Sequence, residues 1–106
     1  MRLYSFFRSS AAFRVRIALH LKGVAFETVG IDLPQGLHRE AAFLALNPHG
    51  TVPVIDDDGV VLEQSLAIIE YLDARYPTPR LIPEEPVARA HVQGLAQLVA
   101  CEIHPL

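Results

Sequence analysis

The sequence has almost no cysteine: Cys101 is the single one among 106 residues. No intramolecular disulfide can form, and no cluster of cysteines can hold a metal ion, which is typical of a protein in a reducing compartment. The five histidines also lack the spacing of a metal motif. We therefore expect a cytoplasmic protein with neither a disulfide nor a bound metal.

Long apolar runs and basic stretches are missing as well. Arg8, Arg14 and Arg16 interrupt the apolar N-terminal segment, and no uncharged run approaches the ~18 residues that a membrane span needs. Nine Lys and Arg against twelve Asp and Glu give a formal charge of −3, with no basic stripe to neutralise a run of phosphates. We expect neither a membrane nor a nucleic acid as a partner.

The residues that are present describe a folded domain. Hydrophobic residues make up 51% of the chain and charged residues 20%, a balance typical of a soluble globular protein with one modest core. The first half of the sequence predicts strand, helix, strand and helix at residues 2–6, Ser10–Lys22, 24–31 and 39–46. Gly23 is the stop signal of the first helix.

The second half predicts a hairpin and another helix. Residues 52–55 and 60–62 flank an acidic turn that Gly59 closes, and apolar residues at helical spacing follow over Ser65–Arg75. The resulting β-α-β-α-β-β-α order suits an α/β fold of the thioredoxin-like kind, a mixed sheet covered by helices. This unit is expected to span residues 1–77.

Prolines mark the end of that unit. Four of them lie between residues 77 and 86, which indicates a linker over residues 78–86. A new helix begins near Val87, with Val92, Leu95 and Val99 on one face. We interpret residues 87–106 as the start of a second, helical domain, and we expect exposed apolar surface on this helix.

Three segments contain candidate binding residues. Arg8-Ser9-Ser10 lies where a strand ends and a helix begins, so an anion or thiolate would be stabilised by the hydroxyls and the helix N-terminus. The alternative is that Ser9 or Ser10 is only an N-cap. The sequence lacks the Ser-His-Asp order with flanking glycines that would indicate a hydrolase.

Val52-Pro53 and Gln64-Ser65 are the other two segments. A trans proline at a strand start is the ordinary reading of Pro53, whereas a cis bond would turn the Val52 backbone outward to pair with an extended peptide. Ser65 is expected to be an N-cap. The same helix terminus would also bind a ligand carboxylate, with Gln64 or Glu63 holding a nearby amine.

A family resemblance joins these segments. Residues 9–19 read Ser-Ser-Ala-Ala-Phe-Arg-Val-Arg-Ile-Ala-Leu, which closely resembles the signature Ser-Ser-Cys-x-Trp-Arg-Val-Arg-Ile-Ala-Leu of the zeta-type glutathione transferases. Matching segments follow in register at residues 45–48, 52–53, 64–72 and 77–81. The resemblance covers essentially the whole chain.

The resemblance implies a glutathione site, residue by residue. Ser9 would hydrogen-bond the glutathione sulfur with Ser10 beside it, and Val52, before a cis Pro53, would pair with the tripeptide backbone. Gln64 and Ser65 would hold the γ-glutamyl end, and His38 would lie near the glycine end. Since hydroxyl donors at a helix N-terminus lower the pKa of a thiol, the reactive thiolate would be favoured there.

The resemblance also implies an activity. Zeta-type enzymes include glutathione-dependent cis–trans isomerases of maleyl keto-acids such as maleylacetoacetate and maleylpyruvate, which act in the catabolism of aromatic compounds. Arg8 would be a cationic partner for the anionic substrate, and His104 would line the substrate pocket. The family implies a homodimer. Because the rest of the pocket would come from the helical domain, we expect this chain alone to be inactive.

Two departures from the signature keep alternatives open. Ala11 stands where the signature has cysteine, and Phe13 where it has tryptophan. Maleylpyruvate isomerases also lack the cysteine, so the resemblance does not separate the two substrates. A general transferase that conjugates, dehalogenates or reduces peroxides is a second hypothesis, and an interaction module without turnover is a third.

Overall fold

The computed structural model describes residues 1–32 and 35–103, with side chains as far as residue 100. The strands are β1 (Arg2–Ser5), β2 (Glu27–Gly30), β3 (Val54–Asp57) and β4 (Val60–Glu63). The helices are α1 (Ser10–Lys22), α2 (Ala41–Leu46), α3 (Ser65–Arg75) and α4 (Pro86–Gln97), with a 3-10 turn at Leu37–Arg39 and π-helical backbone at Leu98–Ile103. This order confirms the predicted β-α-β-α-β-β-α arrangement of a thioredoxin-like α/β fold.

The four strands form one mixed sheet in the order β2-β1-β3-β4. β1 is parallel to β2 and antiparallel to β3, and β3 is antiparallel to β4. Tyr4 pairs with Val54, and Val54 pairs with Glu63. The end of β1, the start of β3 and the end of β4 therefore lie side by side at one edge of the sheet.

Helices cover both faces of this sheet. α1 and α3 pack on one face, where a fully buried cluster joins strand and helix side chains: Leu3, Val15, Ala18, Leu19, Ile55, Ile68 and Leu72. α2 lies on the other face, where Phe43 packs with Ile31 and Val54. Neighbouring strand residues Val54 and Ile55 belong to different clusters because successive side chains alternate between the faces of a strand.

Three predicted elements begin later than expected. β3 begins at Val54 rather than at residue 52 and ends at Asp57 rather than at residue 55, because its pairing with β1 begins at Val54. β2 begins at Glu27 rather than at residue 24, because its partner β1 begins at Arg2, which pairs with Glu27. The residues before Glu27 have no partner in β1, so the strand does not extend over them. The second helix begins at Ala41 rather than near Arg39, because Glu40 is extended (φ −71°, ψ 148°) and separates it from the 3-10 turn.

The proline-rich segment after α3 is fixed to the domain by Asp73. This buried carboxylate accepts hydrogen bonds from Lys22 Nζ (2.6 Å) and from the backbone N–H groups of Leu81 (2.8 Å) and Ile82 (3.0 Å). Lys22 Nζ also donates to the Pro79 carbonyl (2.6 Å). Burial raises the pKa of Asp73, but the hydrogen bonds from Lys22, Leu81 and Ile82 outweigh it, so the net pKa is lowered.

Helix α4 has two kinds of apolar side chain. Val92 and Ala96 line a cavity of about 280 Å³ together with Ile17 and Leu66 of the first domain. Leu95 is 66% exposed and Val87 is exposed too, as are Leu98 and Val99 in the π-helical segment that follows, so the apolar surface predicted for this region is present. None of the helices in residues 1–32 and 35–103 is long and apolar enough to cross a membrane.

Candidate glutathione site at one edge of the sheet

The fold brings the three candidate segments to the same edge of the sheet. Ser9 follows the end of β1, Val52 precedes β3, and Ser65 follows the end of β4. Because Tyr4 pairs with Val54 and Val54 with Glu63, these three chain segments leave the sheet side by side. Residues separated by more than 50 positions in the sequence thus share one surface.

Ser9 is the N-cap of α1. It has extended backbone (φ −77°, ψ 115°), and its Oγ accepts a hydrogen bond from the Ala12 N–H at 3.1 Å. A hydroxyl that accepts in this way keeps its own proton for donation. The cap function and the expected sulfur-binding function are therefore compatible, because Ser9 Oγ accepts a hydrogen bond in the first and donates one in the second.

The neighbours of Ser9 lie at the surface. Ser10 is the first residue of α1 and is exposed. Arg8 is exposed too, and its guanidinium carbon lies 5.3 Å from the centroid of the Phe7 ring. That distance is typical of a cation–π contact. A cationic side chain thus stands beside the N-terminus of α1, where its charge can face an incoming anion.

Val52 lies beyond the paired part of β3. The last residue pair of the β1–β3 ladder is Tyr4 with Val54, so the Val52 backbone extends past it. The Val52–Pro53 peptide bond is cis, and the Pro53 side chain is buried whereas Val52 is half-buried.

The start of α3 differs from the sequence-based expectation. Ser65 is not an N-cap: Gln64 holds that position with a positive φ of 72°, and its side chain makes no capping hydrogen bond. Ser65 is instead the first helical residue, 6% exposed. Its Oγ accepts hydrogen bonds from Arg14 of α1, at 3.0 Å from Nη2 and 3.4 Å from Nε.

Buried polar atoms without a partner lie near this edge. In the part of the chain that the structure describes, they are Ser5 Oγ, His38 Nδ1 and Glu63 Oε2. The other Glu63 oxygen, Oε1, lies 2.5 Å from His49 Nδ1. Buried polar groups normally have hydrogen-bond partners, so the unpaired Ser5 Oγ at the end of β1 and Glu63 Oε2 at the end of β4 fit an edge that receives a polar ligand.

His38 lies on the 3-10 turn and approaches the loop before Val52. A Cβ on Gly50 would stand 3.1 Å from the His38 carbonyl oxygen and 3.3 Å from a Leu44 methyl carbon. Gly50 has a positive φ of 66°, which favours glycine. The lack of a side chain at residue 50 thus lets this turn lie against the loop. His104 lies outside the described residues.

Sequence reasoning missed two contacts at this edge, Arg14 with Ser65 and His49 with Glu63. Both join residues that are distant in the sequence, 51 and 14 positions apart, and no local pattern indicates them. In the described ranges there is no group of three or more His, Cys, Asp or Glu side chains that could hold a metal ion. The edge combines hydroxyls, backbone N–H groups and the Arg14 guanidinium with the Glu63 carboxylate and the His49 imidazole.

Comparisons with curated proteins give a consistent result. The chain is 50% identical over 109 residues to a maleylacetoacetate isomerase of Pseudomonas aeruginosa, a match that covers 100% of this chain and 51% of that protein. It is 48% identical over 106 residues to a maleylpyruvate isomerase of a Ralstonia species, covering 100% and 50% respectively. The chain therefore spans about half the length of the curated relatives it matches.

Solved structures and a family model agree with these relatives. A bacterial maleylpyruvate isomerase, described as a zeta-class glutathione transferase, superposes with a TM-score of 0.94 at 48% identity, covering 99% of this chain and 50% of that one. A maleylacetoacetate isomerase of Methylobacterium extorquens with bound malonate and glutathione gives 0.89 at 52% identity, covering 100% and 50%. The family model for the N-terminal domain of glutathione S-transferases matches residues 3–80. This chain belongs to the glutathione S-transferase family, and its residues 3–80 match the N-terminal domain of that family.

Proposed function

We propose that this chain binds glutathione along the edge formed by the ends of β1 and β4 and the start of β3. The meeting of Ser9, Val52 and Ser65 at that edge supports the proposal most strongly, because it offers a hydroxyl donor, a backbone segment beyond the paired strands and a helix N-terminus to one extended tripeptide. A solved relative at 52% identity contains glutathione.

Each part of glutathione has a proposed partner. Ser9 and the N-terminus of α1 receive the sulfur, with Ser10 beside them, and the backbone of Val52, before Pro53, pairs with the tripeptide backbone. Gln64 and Ser65 bind the γ-glutamyl end, where the unpaired N–H groups at the start of α3 attract a carboxylate. His38 is assigned to the glycine end, because the 3-10 turn that carries it lies against Gly50 in the loop before Val52.

We further propose that the protein is a cis–trans isomerase of maleyl keto-acids and acts in the catabolism of aromatic compounds. Bound glutathione supplies a nucleophilic sulfur whose reversible addition turns the cis double bond into a single bond that can rotate. Ser9 holds the sulfur in its anionic form through a hydrogen bond at the helix N-terminus. Arg8 binds a substrate carboxylate at the mouth of the site.

A general glutathione transferase is the second candidate. Ala11 replaces the signature cysteine, and a relative at 48% identity from Dianthus caryophyllus is named glutathione S-transferase 1. Turnover of maleylacetone and of dichloroacetate, compared in a protein with both domains, separates the two functions. Faster turnover of maleylacetone supports the isomerase, whereas faster turnover of dichloroacetate supports the general transferase.

The domain organisation and setting are part of the proposal. Residues 1–77 form the glutathione-binding domain, 78–86 the linker and 87–106 the first helix of a helical domain. The exposed Leu95 and Leu98 on that helix support an apolar partner surface. We place the protein in the cytoplasm as a homodimer, in keeping with the single cysteine and the family.

Calorimetric titration with reduced glutathione tests the binding site. We expect one-site binding by the wild-type chain, weakened about tenfold by Ser65→Ala because a hydrogen bond to a charged carboxylate is lost. Thr28→Ala, on the exposed surface of β2, is the control and is expected to leave the affinity unchanged. Equal affinities of the Ser65 and Thr28 variants, or no binding by the wild type at millimolar ligand, would contradict the proposal.

A further inference from the structure

Arg14 connects the two helices whose N-termini form the proposed glutathione site. It lies on α1, one turn after Ser10, and its guanidinium donates two hydrogen bonds to Ser65 Oγ on α3, from Nη2 at 3.0 Å and from Nε at 3.4 Å. Arg14 is half-buried and Ser65 is 6% exposed. The contact therefore belongs to the packed interface between α1 and α3 and is not a solvated surface pair.

The guanidinium determines what the Ser65 hydroxyl can do. Arginine remains protonated at all ordinary pH values and can only donate hydrogen bonds. When Ser65 Oγ accepts from Arg14, the single Ser65 proton has to point elsewhere, and the adjacent positive charge makes that proton a better donor. A ligand group that accepts a hydrogen bond, above all a carboxylate, is the partner that this arrangement favours.

We propose that Arg14 is a positioning residue that fixes the Ser65 hydroxyl as a donor to the α-carboxylate of the glutathione γ-glutamyl group. This inference rests on the proposed glutathione site. It assigns to Arg14 a function in ligand selection: the charge of Arg14 and the N-terminus of α3 both favour a carboxylate next to Ser65. Arg14 is not expected to raise the affinity for a ligand that lacks this carboxylate.

Arg16 provides a matched control on the same helix. It lies two residues further along α1, and residues two apart do not share a helix face. Its guanidinium carbon lies 5.3 Å from the centroid of the Phe13 ring. Replacing Arg14 or Arg16 by glutamine removes the same charge from the same helix, but only the Arg14 substitution removes the hydrogen bonds to Ser65.

The test compares two ligands by calorimetry on this chain. They are reduced glutathione and γ-aminobutyryl-cysteinyl-glycine, which lacks the α-carboxylate. We expect Arg14→Gln to weaken glutathione binding about tenfold or more and to leave binding of the analogue within about twofold of wild type. Arg14→Lys, which keeps the charge and a donor, is expected to recover part of the loss. Arg16→Gln is expected to change neither affinity.

A double variant separates action through Ser65 from general packing. In a Ser65→Ala background, Arg14→Gln is expected to weaken glutathione binding less than it does in the wild type. The inference is overturned if Arg14→Gln weakens both ligands alike, or if its effect equals that of Arg16→Gln. Absence of glutathione binding by the wild-type chain would instead overturn the proposed function. Thermal unfolding of each variant identifies any that has lost its fold. If Arg14→Gln does not fold, the affinities of Arg14→Lys for the two ligands decide instead.

Discussion

Replacing Asp73 by alanine is expected to lower the free energy of unfolding by about 3–5 kcal/mol, the cost of leaving one partner of a buried ion pair alone. The substitution leaves the Lys22 ammonium, whose side chain is 0% exposed, without its carboxylate. It also removes the acceptor of the Leu81 and Ile82 N–H groups. Because these bonds fix the segment between α3 and α4, that segment is expected to detach.

Urea denaturation followed by circular dichroism measures this loss. Asp73 Oδ2 also lies 3.6 Å from Arg80 Nη2. The control is Glu84→Ala, which removes a second carboxylate, 3.4 Å from Arg80 Nη1 but 77% exposed. An exposed pair of that kind contributes little, so we expect a change within about 0.5 kcal/mol. Equal stabilities of the two variants would show that the Asp73 network does not hold the segment in place.

The same network predicts how stability depends on pH. Since the pKa of Asp73 is lowered in the folded state, the contribution of its carboxylate is fully present above the unfolded pKa of about 3.9. It is lost as the pH falls through the lower, folded-state pKa. The free energy of unfolding of the wild type should therefore fall on acidification below about pH 4. In Asp73→Asn, the part of this decrease that comes from Asp73 should be absent.

Replacing Ser9 by glycine is expected to raise the pKa of the bound glutathione thiol by about one unit or more, since a hydrogen bond to the thiolate is lost. Glycine is a tolerated N-cap and costs helix stability only a few tenths of a kcal/mol. The substitution thus removes the hydroxyl while the start of α1 is kept. A tenfold smaller thiolate fraction near neutral pH follows from a shift of one unit.

Thiolate absorbance in the ultraviolet, recorded against pH with saturating glutathione, gives this pKa. Ser9→Thr retains a hydroxyl and is expected to stay near the wild-type value. Ser10→Gly is the positional control, and because Ser10 is exposed and lies inside the helix, its effect should be smaller. A thiol pKa unchanged in Ser9→Gly would exclude Ser9 as the sulfur ligand.

Much of the fold follows from local patterns in the sequence. The bounds of α1 and α3 were predicted correctly, because apolar residues at helical spacing are followed by clear stop signals, Gly23 and Pro77. The start of β2 was predicted wrongly, because a strand extends only as far as the neighbour it pairs with, and β1 begins at Arg2. Pairing partners are set by the tertiary structure rather than by local propensity.

The candidate site was predictable only in part. The segments at Ser9, Val52 and Ser65 stand out in the sequence, and the family signature suggests that they form one site. The local arrangement of Ser65 was predicted wrongly, because Gln64 adopts a positive φ that residues other than glycine rarely use. The Arg14 contact depends on how α1 and α3 pack, which no short motif encodes.

Backbone amide signals that shift when reduced glutathione is added to this chain give the most direct test of the central claim. We predict that the largest shifts occur at Ser9, Val52, Gln64 and Ser65, because these residues lie together at the edge of the sheet. Shifts confined to α4 or to the exposed face of β2, or no shift at millimolar glutathione, would contradict the claim that this edge is the glutathione site.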